Sequence, residues 1–300
     1  MERFDHIAII YNPLSSGNAS VLAKRLANQV SRTAADIGVR KATLIPTKHM
    51  RHAVELAYDN ALNFDRPLIV SVSGDGGYNE VINGAMNAKH ISKHARPVVA
   101  VVGAGNANDH KRVMRSKPLI NLIKHAEPRS FDLVHIEATA KDFKLERYAH
   151  SYIGLGITPE VAHDLNKNGK GFWKELRIVF HTFRRFQPFE ILHDKRRLRL
   201  NNLIFANINE MAKIVKLDDK NTVHDDKFEV IALKHHNKLH MLFVLVKAAI
   251  VGFKGAPSYQ TYRFQTTDAM PIQLDGEVEQ LPAKCRVTVR SVPAAIDSLF

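Results

Sequence analysis

The sequence predicts an α/β domain on a parallel sheet, followed by a β-rich, sandwich-like domain, and three observations carry that prediction. Up to about residue 130, apolar runs of strand length alternate with segments of helical periodicity, the order that builds a parallel sheet covered on both faces. Three of those apolar runs end in polar loops containing glycine, as expected where open α/β sheets bind ligands at the carboxyl ends of their strands. From Phe131 onward the segments become β-rich. The predicted division is 1–130 for a nucleotide-binding domain and 131–292 for the β-rich domain. A chain of 300 residues is long for one core and comfortable for two.

The first apolar run, Ile7-Ala8-Ile9-Ile10-Tyr11, ends in Asn12-Pro13-Leu14-Ser15-Ser16-Gly17. Helices are predicted over 19–37 and 50–63. A second run, from Pro67 to Val72, stops at Ser73-Gly74-Asp75-Gly76-Gly77, where the glycines allow close backbone approach to a ligand and positive φ. A helix over 78–87 follows, with Val81, Ile82, Ala85 and Met86 on one face. The third run, Val98 to Val102, opens into Gly103-Ala104-Gly105-Asn106-Ala107-Asn108-Asp109, and a helix is predicted over 119–126. Strands are expected at 131–138, 147–153, 198–207, 228–233, 262–266, 270–274 and 286–292. Helical inserts at 171–186 and 238–252 interrupt them.

A glycine turn that feeds a helix presents free backbone N–H groups to an anion, most often phosphate. Asp75, in the middle of that turn, would repel a bare phosphate, so it implies a bridging metal ion or a proton to be removed. One Gly-Asp-Gly is explained as well by a tight turn with an acidic cap. Three such loops at three strand ends favour a nucleotide site. The chain has no Gly-x4-Gly-Lys-Ser/Thr and no His-Arg-Asp kinase set, which excludes a P-loop enzyme and a protein kinase.

The formal net charge of +13 asks for an anionic partner, and the basic residues concentrate between Lys167 and Arg199, including Arg184, Arg185, Arg196 and Arg197. Aromatic residues recur at helical spacing between Phe172 and Phe186, which suits the interface of an anionic bilayer as well as it suits a solvated basic face. Zinc-finger, helix-turn-helix and RNA-binding signatures are missing, so nucleic acid is not the expected partner. The longest apolar stretch, Met241 to Phe253, contains Lys247 and is shorter than the ~20 residues that span a bilayer. A single cysteine, Cys285, excludes an internal disulfide and fits a cytoplasmic protein, peripheral at the membrane. The pairs His49/His52 and His90/His94, and His235 with His236, lack the partners of a zinc motif.

The chain resembles the diacylglycerol kinase catalytic-domain family, which includes bacterial lipid kinases and sphingosine kinases. The likeness rests on Asn12-Pro13 with Ser16-Gly17, on Ser73-Gly74-Asp75-Gly76 with Asn79-Glu80-Val81 and Asn83-Gly84, and on Gly103-x-Gly105-Asn106 with Asp109. It continues in the Ser151–Gly156 glycine pair, the acidic segment His224–Val230 and the late Asp275-Gly276-Glu277. The resemblance implies a lipid kinase that uses ATP and Mg²⁺, with residues 293–300 returning to the first domain. It implies nucleotide contacts at Asn12, Ser16, Ser73, Gly74, Gly76, Gly77, Glu80, Gly103, Gly105, Asn106 and Asp109. Asp75 and Glu277 are the candidate catalytic carboxylates, and either can be the base while the other positions metal. Asp225, Asp226 and Glu229 are candidates for a structural Mg²⁺ site. Diacylglycerol is the default substrate, and a homodimer is compatible with the sequence. A kinase of a soluble acceptor such as NAD, and a catalytically silent lipid-binding protein, are the alternatives. Three departures stand out: Gly77 where the family usually has Thr or Ser, two extra residues before Asp109, and Asn209–Lys213 in place of a glycine-richer stretch.

Overall fold

A computed structural model describes residues 4–15, 17–33, 39, 41–105, 108–114, 117–156, 187–211, 215–216, 223–235 and 256–300. Both helical inserts, Ser16, Asn106 and most of the Lys167–Arg199 stretch lie outside the described residues. The chain divides into two compact units, Met1–Asp132 with Ala294–Phe300, and Leu133–Pro293.

In the first unit, strands β1 (His6–Tyr11), β2 (Lys41–Pro46), β3 (Leu68–Ser73) and β4 (Val98–Gly103) pair in parallel in the order β4-β3-β1-β2. All six residues of β3 are buried, Ser71 and Ser73 among them, as expected of a strand covered on both faces. Helix α1 (Ala19–Arg32) buries Ala19, Ala23, Leu26 and Val30, one stripe at helical spacing. Helices α2 (His52–Asn63) and α3 (Asp75–Ile91) follow β2 and β3, and two short helices, α4 (Asp109–Met114) and α5 (Leu119–His125), follow β4. The helix expected at 78–87 therefore begins three residues earlier, with the glycine turn forming its first coil. Helix α4 is an element that the sequence reading did not contain.

The last strand, β17 (Arg286–Ser298), ends in this unit, where Asp297 and Ser298 pair in parallel with Val98 and Val99 of β4. Side chains fasten it. Lys89 Nζ donates to the Ala295 carbonyl, the Ala294 amide donates to Asp132 Oδ1 at 2.8 Å, and Ser130 Oγ donates to Asp297 Oδ1 at 2.6 Å. Burial pushes the Lys89 ammonium below its ordinary pKa, against the pull of Asp297. Leu299 completes the apolar core formed by β1, β3, β4 and α1.

The second unit is mostly strand. It contains β5 (Arg129–Ala140, from Leu133 on), β6 (Phe143–Ala149), β7 (Tyr152–Gly156), β8 (Phe189–His193), β9 (Arg196–Ala206), β10 (Glu210–Met211), β11 (Val215–Lys216), β12 (Phe228–Lys234), β13 (Ser258–Tyr259), β14 (Thr261–Thr266), β15 (Met270–Leu274), β16 (Glu277–Leu281) and the first part of β17. Its main sheet is antiparallel in the order β16-β15-β7-β9-β8-β14-β17, with β12 on β9 and β6 on β5. Val134, Ile153, Phe205, Phe228, Phe264 and Val289 lie in one buried cluster. The strand expected over 147–153 is two strands. The chain breaks at His150-Ser151 because the carboxylate of Asp275 draws in the amides of His150, Ser151 and Tyr152. The described end of the basic stretch, Lys195 to Arg199, forms the turn and start of the β8–β9 hairpin, in keeping with the strand expected over 198–207.

Candidate functional site

In the first unit, register places the ends of β1, β3 and β4 at one edge: Tyr11 lies beside Val72, and Ser73 beside Gly103. The loops that leave those ends are tied together. The Gly17 amide and Ser15 Oγ both donate to the Ala104 carbonyl, at 2.9 and 3.0 Å, and the Ala104 amide donates to the Ser73 carbonyl at 2.8 Å. A Cβ on Gly105 would come within 2.4 Å of the Gly74 Cα. The glycines therefore act through size. Among the described residues the glycines with positive φ are Gly156 and Gly276, so the positive φ expected in the Gly-Asp-Gly turn is not used there.

Gly74 is the N-cap of α3 and has no side chain with which to cap the helix. The first turn of a helix gathers backbone N–H groups at its terminus, the arrangement that receives an anion. The half-buried Asp75 carboxylate lies beside them and accepts from the amides of Asp109 and His110, at 3.2 and 3.4 Å, which aligns it on the start of α4. The exposed Asn12 accepts the Leu14 amide on Oδ1 at 2.9 Å, closing its own turn. Asn108, absent from the sequence candidates, holds the third loop. Its Oδ1 accepts the Gly105 amide at 2.9 Å, its Nδ2 donates to the Gly105 carbonyl at 2.8 Å, and its φ of 51° is the left-handed value asparagine tolerates.

Three expected cofactor contacts have other engagements. Ser73 is buried, with Oγ 2.7 Å from Ser71 Oγ and donating to the Gly74 carbonyl at 2.9 Å. A Cβ on Gly77 would meet that same Oγ at 2.6 Å, so the Ser73 hydroxyl occupies the volume that a side chain at 77 would need. Glu80 accepts the amides of Arg51 and Ala53, at 3.1 and 3.2 Å, and so caps α2 from across the helix pair. Asp109 is fully buried and paired with Arg112 at 2.8 Å.

In the second unit, Asp275 and Gly276 form the β15–β16 turn with φ of 48° and 95°, and Glu277 is the first residue of β16. The buried Asp275 carboxylate accepts the His150, Ser151 and Tyr152 amides at 2.7, 3.0 and 2.9 Å, so the aspartate of the Asp-Gly-Glu motif is a structural anchor. Arg147 on β6 pairs with Glu277 at 2.6 Å and with Glu279 at 3.1 Å. The proposed Asp225, Asp226 and Glu229 metal set does not assemble among the described residues. Asp225 closes its own turn on the Lys227 amide at 3.2 Å, and the buried Glu229 accepts from Ser258 Oγ at 3.2 Å.

His49 and His52, which the sequence left without a zinc-motif partner, do bring ligand atoms together with Glu55. His52 Nδ1 accepts the Lys48 amide at 3.0 Å, which leaves the ring proton on Nε2 and turns an N–H, not a lone pair, toward the group. The donor set is therefore a poor one for a metal. Burial raises the Cys285 thiol above its ordinary pKa, which makes it an inert core side chain. Among the described residues, no helix is long and apolar enough to cross a membrane.

Comparison with known proteins agrees with this geometry. The curated diacylglycerol kinase of Bacillus subtilis (strain 168) is 24% identical over 292 residues, covering 90% of this chain and 88% of that protein. A solved diacylglycerol kinase from Bacillus anthracis strain Sterne superposes with a TM-score of 0.69 at 18% identity, covering 99% of this chain and 97% of the other. A second solved chain from the same organism reaches 0.72, also at 18% identity and with the same coverage. The fold is that of these structures. The family profile described as the diacylglycerol kinase catalytic domain matches residues 6–136, the strands and loops around the start of α3.

Proposed function

We propose that this protein is an ATP- and Mg²⁺-dependent lipid kinase that transfers the γ-phosphate to a hydroxyl of a diacylglycerol-like lipid. The observation that carries the reading is the glycine-capped N-terminus of α3 at the carboxyl ends of the parallel strands, framed by two knitted loops and flanked by one half-buried carboxylate. Backbone amides of Asp75, Gly76 and Gly77 would receive phosphate oxygens, with the Asn12 NH₂ group as a further donor. The donor set fits a nucleotide triphosphate, because oriented amides bind anions without the cost of desolvating a cation. Asp75 would hold Mg²⁺, which when bound neutralises charge on the transferring phosphate. Glu277 would take the acceptor proton.

Two solvent-facing apolar side chains favour a lipid surface over a soluble acceptor. Leu14, 93% exposed, and Met50, 85% exposed, follow the ends of the neighbouring parallel strands β1 and β2, and Lys48 and Arg51 flank Met50. Apolar tips beside basic residues suit peripheral contact with an anionic bilayer. The deciding experiment offers γ-labelled ATP with diacylglycerol in anionic vesicles, and separately with NAD. Label in the lipid fraction alone is expected. Label in NAD alone would overturn the lipid assignment, and no label in either despite vesicle binding would favour a silent lipid-binding protein.

A further inference from the structure

Five exposed arginines share one sheet face in the second unit. Strands β9, β8, β14 and β17 are adjacent, and burial alternates along them. Ile191, Leu200, Phe264, Val287 and Val289 turn into the core, so the residues between them lie on the opposite face. Register there aligns Arg197, Leu192, Gln265 and Arg286 in one row across all four strands. Arg199 stands two residues along β9, Arg263 two residues along β14 and Arg290 further along β17, all exposed on that face. We infer that this arginine face is a docking surface for the phosphate headgroups of an anionic bilayer. The choice of partner rests on the lipid-kinase reading, whereas none of these residues belongs to the site described above.

Few acids answer these cations. Glu190, opposite Arg199, is the one carboxylate within these rows, and it lies 3.8 Å from Arg197. Glu137 on neighbouring β5 pairs with Arg290 at 2.9 Å, and Asp194 in the β8–β9 turn lies 3.4 Å from His193. Among the described residues no carboxylate pairs with Arg199, Arg263 or Arg286. On β14 and β17, Arg286 faces Gln265 and Arg263 faces Thr288, neither of which is charged.

Lysine outnumbers arginine in the chain as a whole, yet every basic position on this face of the four strands is arginine. A planar guanidinium fork matches phosphate oxygens, where lysine offers only a point charge. Thr261, Thr288 and Gln265 set uncharged donors among the arginines. A nucleic-acid duplex is read by an element that enters a groove, and single strands are held by aromatic stacking. On these strands Tyr262 and Phe264 are buried on the core side, so the face offers no stacking platform. The chemistry selects a surface of phosphates, which is a bilayer.

The test measures partition of the full chain, without nucleotide, onto vesicles of equimolar phosphatidylcholine and phosphatidylglycerol. Arg199→Gln, Arg263→Gln and Arg286→Gln together should lower partition by about 10²-fold, about fivefold for each arginine. The side chains are exposed, so the melting temperature should stay near the parent's. Turnover of short-chain diacylglycerol in neutral detergent should stay there too. Glu190→Gln removes the acid from the face and should strengthen partition by about fivefold. Its effect has the opposite sign, so it keeps the idea testable should the triple variant not fold, and unchanged or weaker partition overturns it. A control that removes the same charge from other exposed positions, Lys24→Gln, Lys93→Gln and Lys141→Gln, should lose far less. Equal losses in the two triple variants would show that the vesicle senses net charge alone, and the docking surface falls. Parental partition that does not decline with added salt also overturns it. Tighter binding of the parent to duplex or single-stranded nucleic acid, abolished in the arginine triple, would replace the bilayer as partner. A chain without kinase activity whose vesicle binding still depends on these arginines would refute the proposed function and leave this inference standing.

Discussion

The edge of the first unit and the β16 edge of the second hold their polar groups in opposite ways. At the first, side chains are turned to structural use: Ser73 is bonded to Ser71, Glu80 caps α2, Asp109 pairs with Arg112, and Asn108 clasps its own loop. What remains is backbone, the first turn of α3 at Gly74, with the half-buried Asp75 carboxylate beside it. At the second, the Asp275 carboxylate gathers three backbone amides and the neighbouring Glu277 is a partly exposed side chain. The contrast teaches that a motif rich in polar residues can deliver its function through main-chain dipoles, with the side chains holding the main chain in place.

The largest expected effect tests the exception in the first unit. Asp75→Asn keeps an acceptor for the α4 amides and removes the charge, so turnover should fall by about 10²–10⁴-fold while circular dichroism is unchanged. Near-parental turnover would remove Asp75 from the chemistry. A smaller effect probes the volume shared by residues 73 and 77. Gly77→Thr alone must displace the Ser73 hydroxyl, and should raise the apparent KM for ATP by about tenfold, a cost of roughly 1.4 kcal/mol. Adding Ser73→Gly should recover most of that loss, since two residues competing for one space are strongly non-additive. Independent, additive losses would show that the two positions do not share a role.

Glu80→Ala comes next. If Glu80 is a cap, stability should fall by about 1 kcal/mol, seen as a lower urea midpoint, with the Mg²⁺ dependence of turnover unchanged. An altered Mg²⁺ dependence would return Glu80 to the site. The smallest effect lies on β5, far in sequence from either motif. Burial lowers the His135 pKa, with Glu146 opposing and Arg290 assisting, so the folded chain favours the neutral ring. Stability from this group is present above the ordinary histidine value and declines as pH falls below it, because the unfolded chain takes up the proton first. His135→Gln should therefore show a smaller drop in melting temperature between about pH 7.5 and about pH 5.5 than the parent. An unchanged drop would assign the acid sensitivity elsewhere.

Most of the first unit was legible because its signals are local. A strand buried on both faces reads as an unbroken apolar run, and its polar loop marks where it stops. The start of α3 was misplaced because glycines weigh against helix in any propensity argument, while at positions 76 and 77 tertiary packing overrides them. Helix α4, six residues long, is too short for periodicity to register. Glu80 read as a cofactor contact because its neighbours in sequence do, whereas its partners, Arg51 and Ala53, come from another helix. Arg147 left no sequence signal, since its two carboxylates are more than a hundred residues away and no spacing rule links them.

The return of β17 to the first unit has a consequence for how the protein is made. The outer edge of β4 is complete only when Asp297 and Ser298 lie along it, and the core beneath receives Leu299. On a ribosome the first 132 residues emerge with that edge open, and the whole second unit must be synthesised before the closing strand exists. An open parallel edge is a template for other chains. Nascent chains stalled before residue 294 should accordingly be the form most in need of a chaperone.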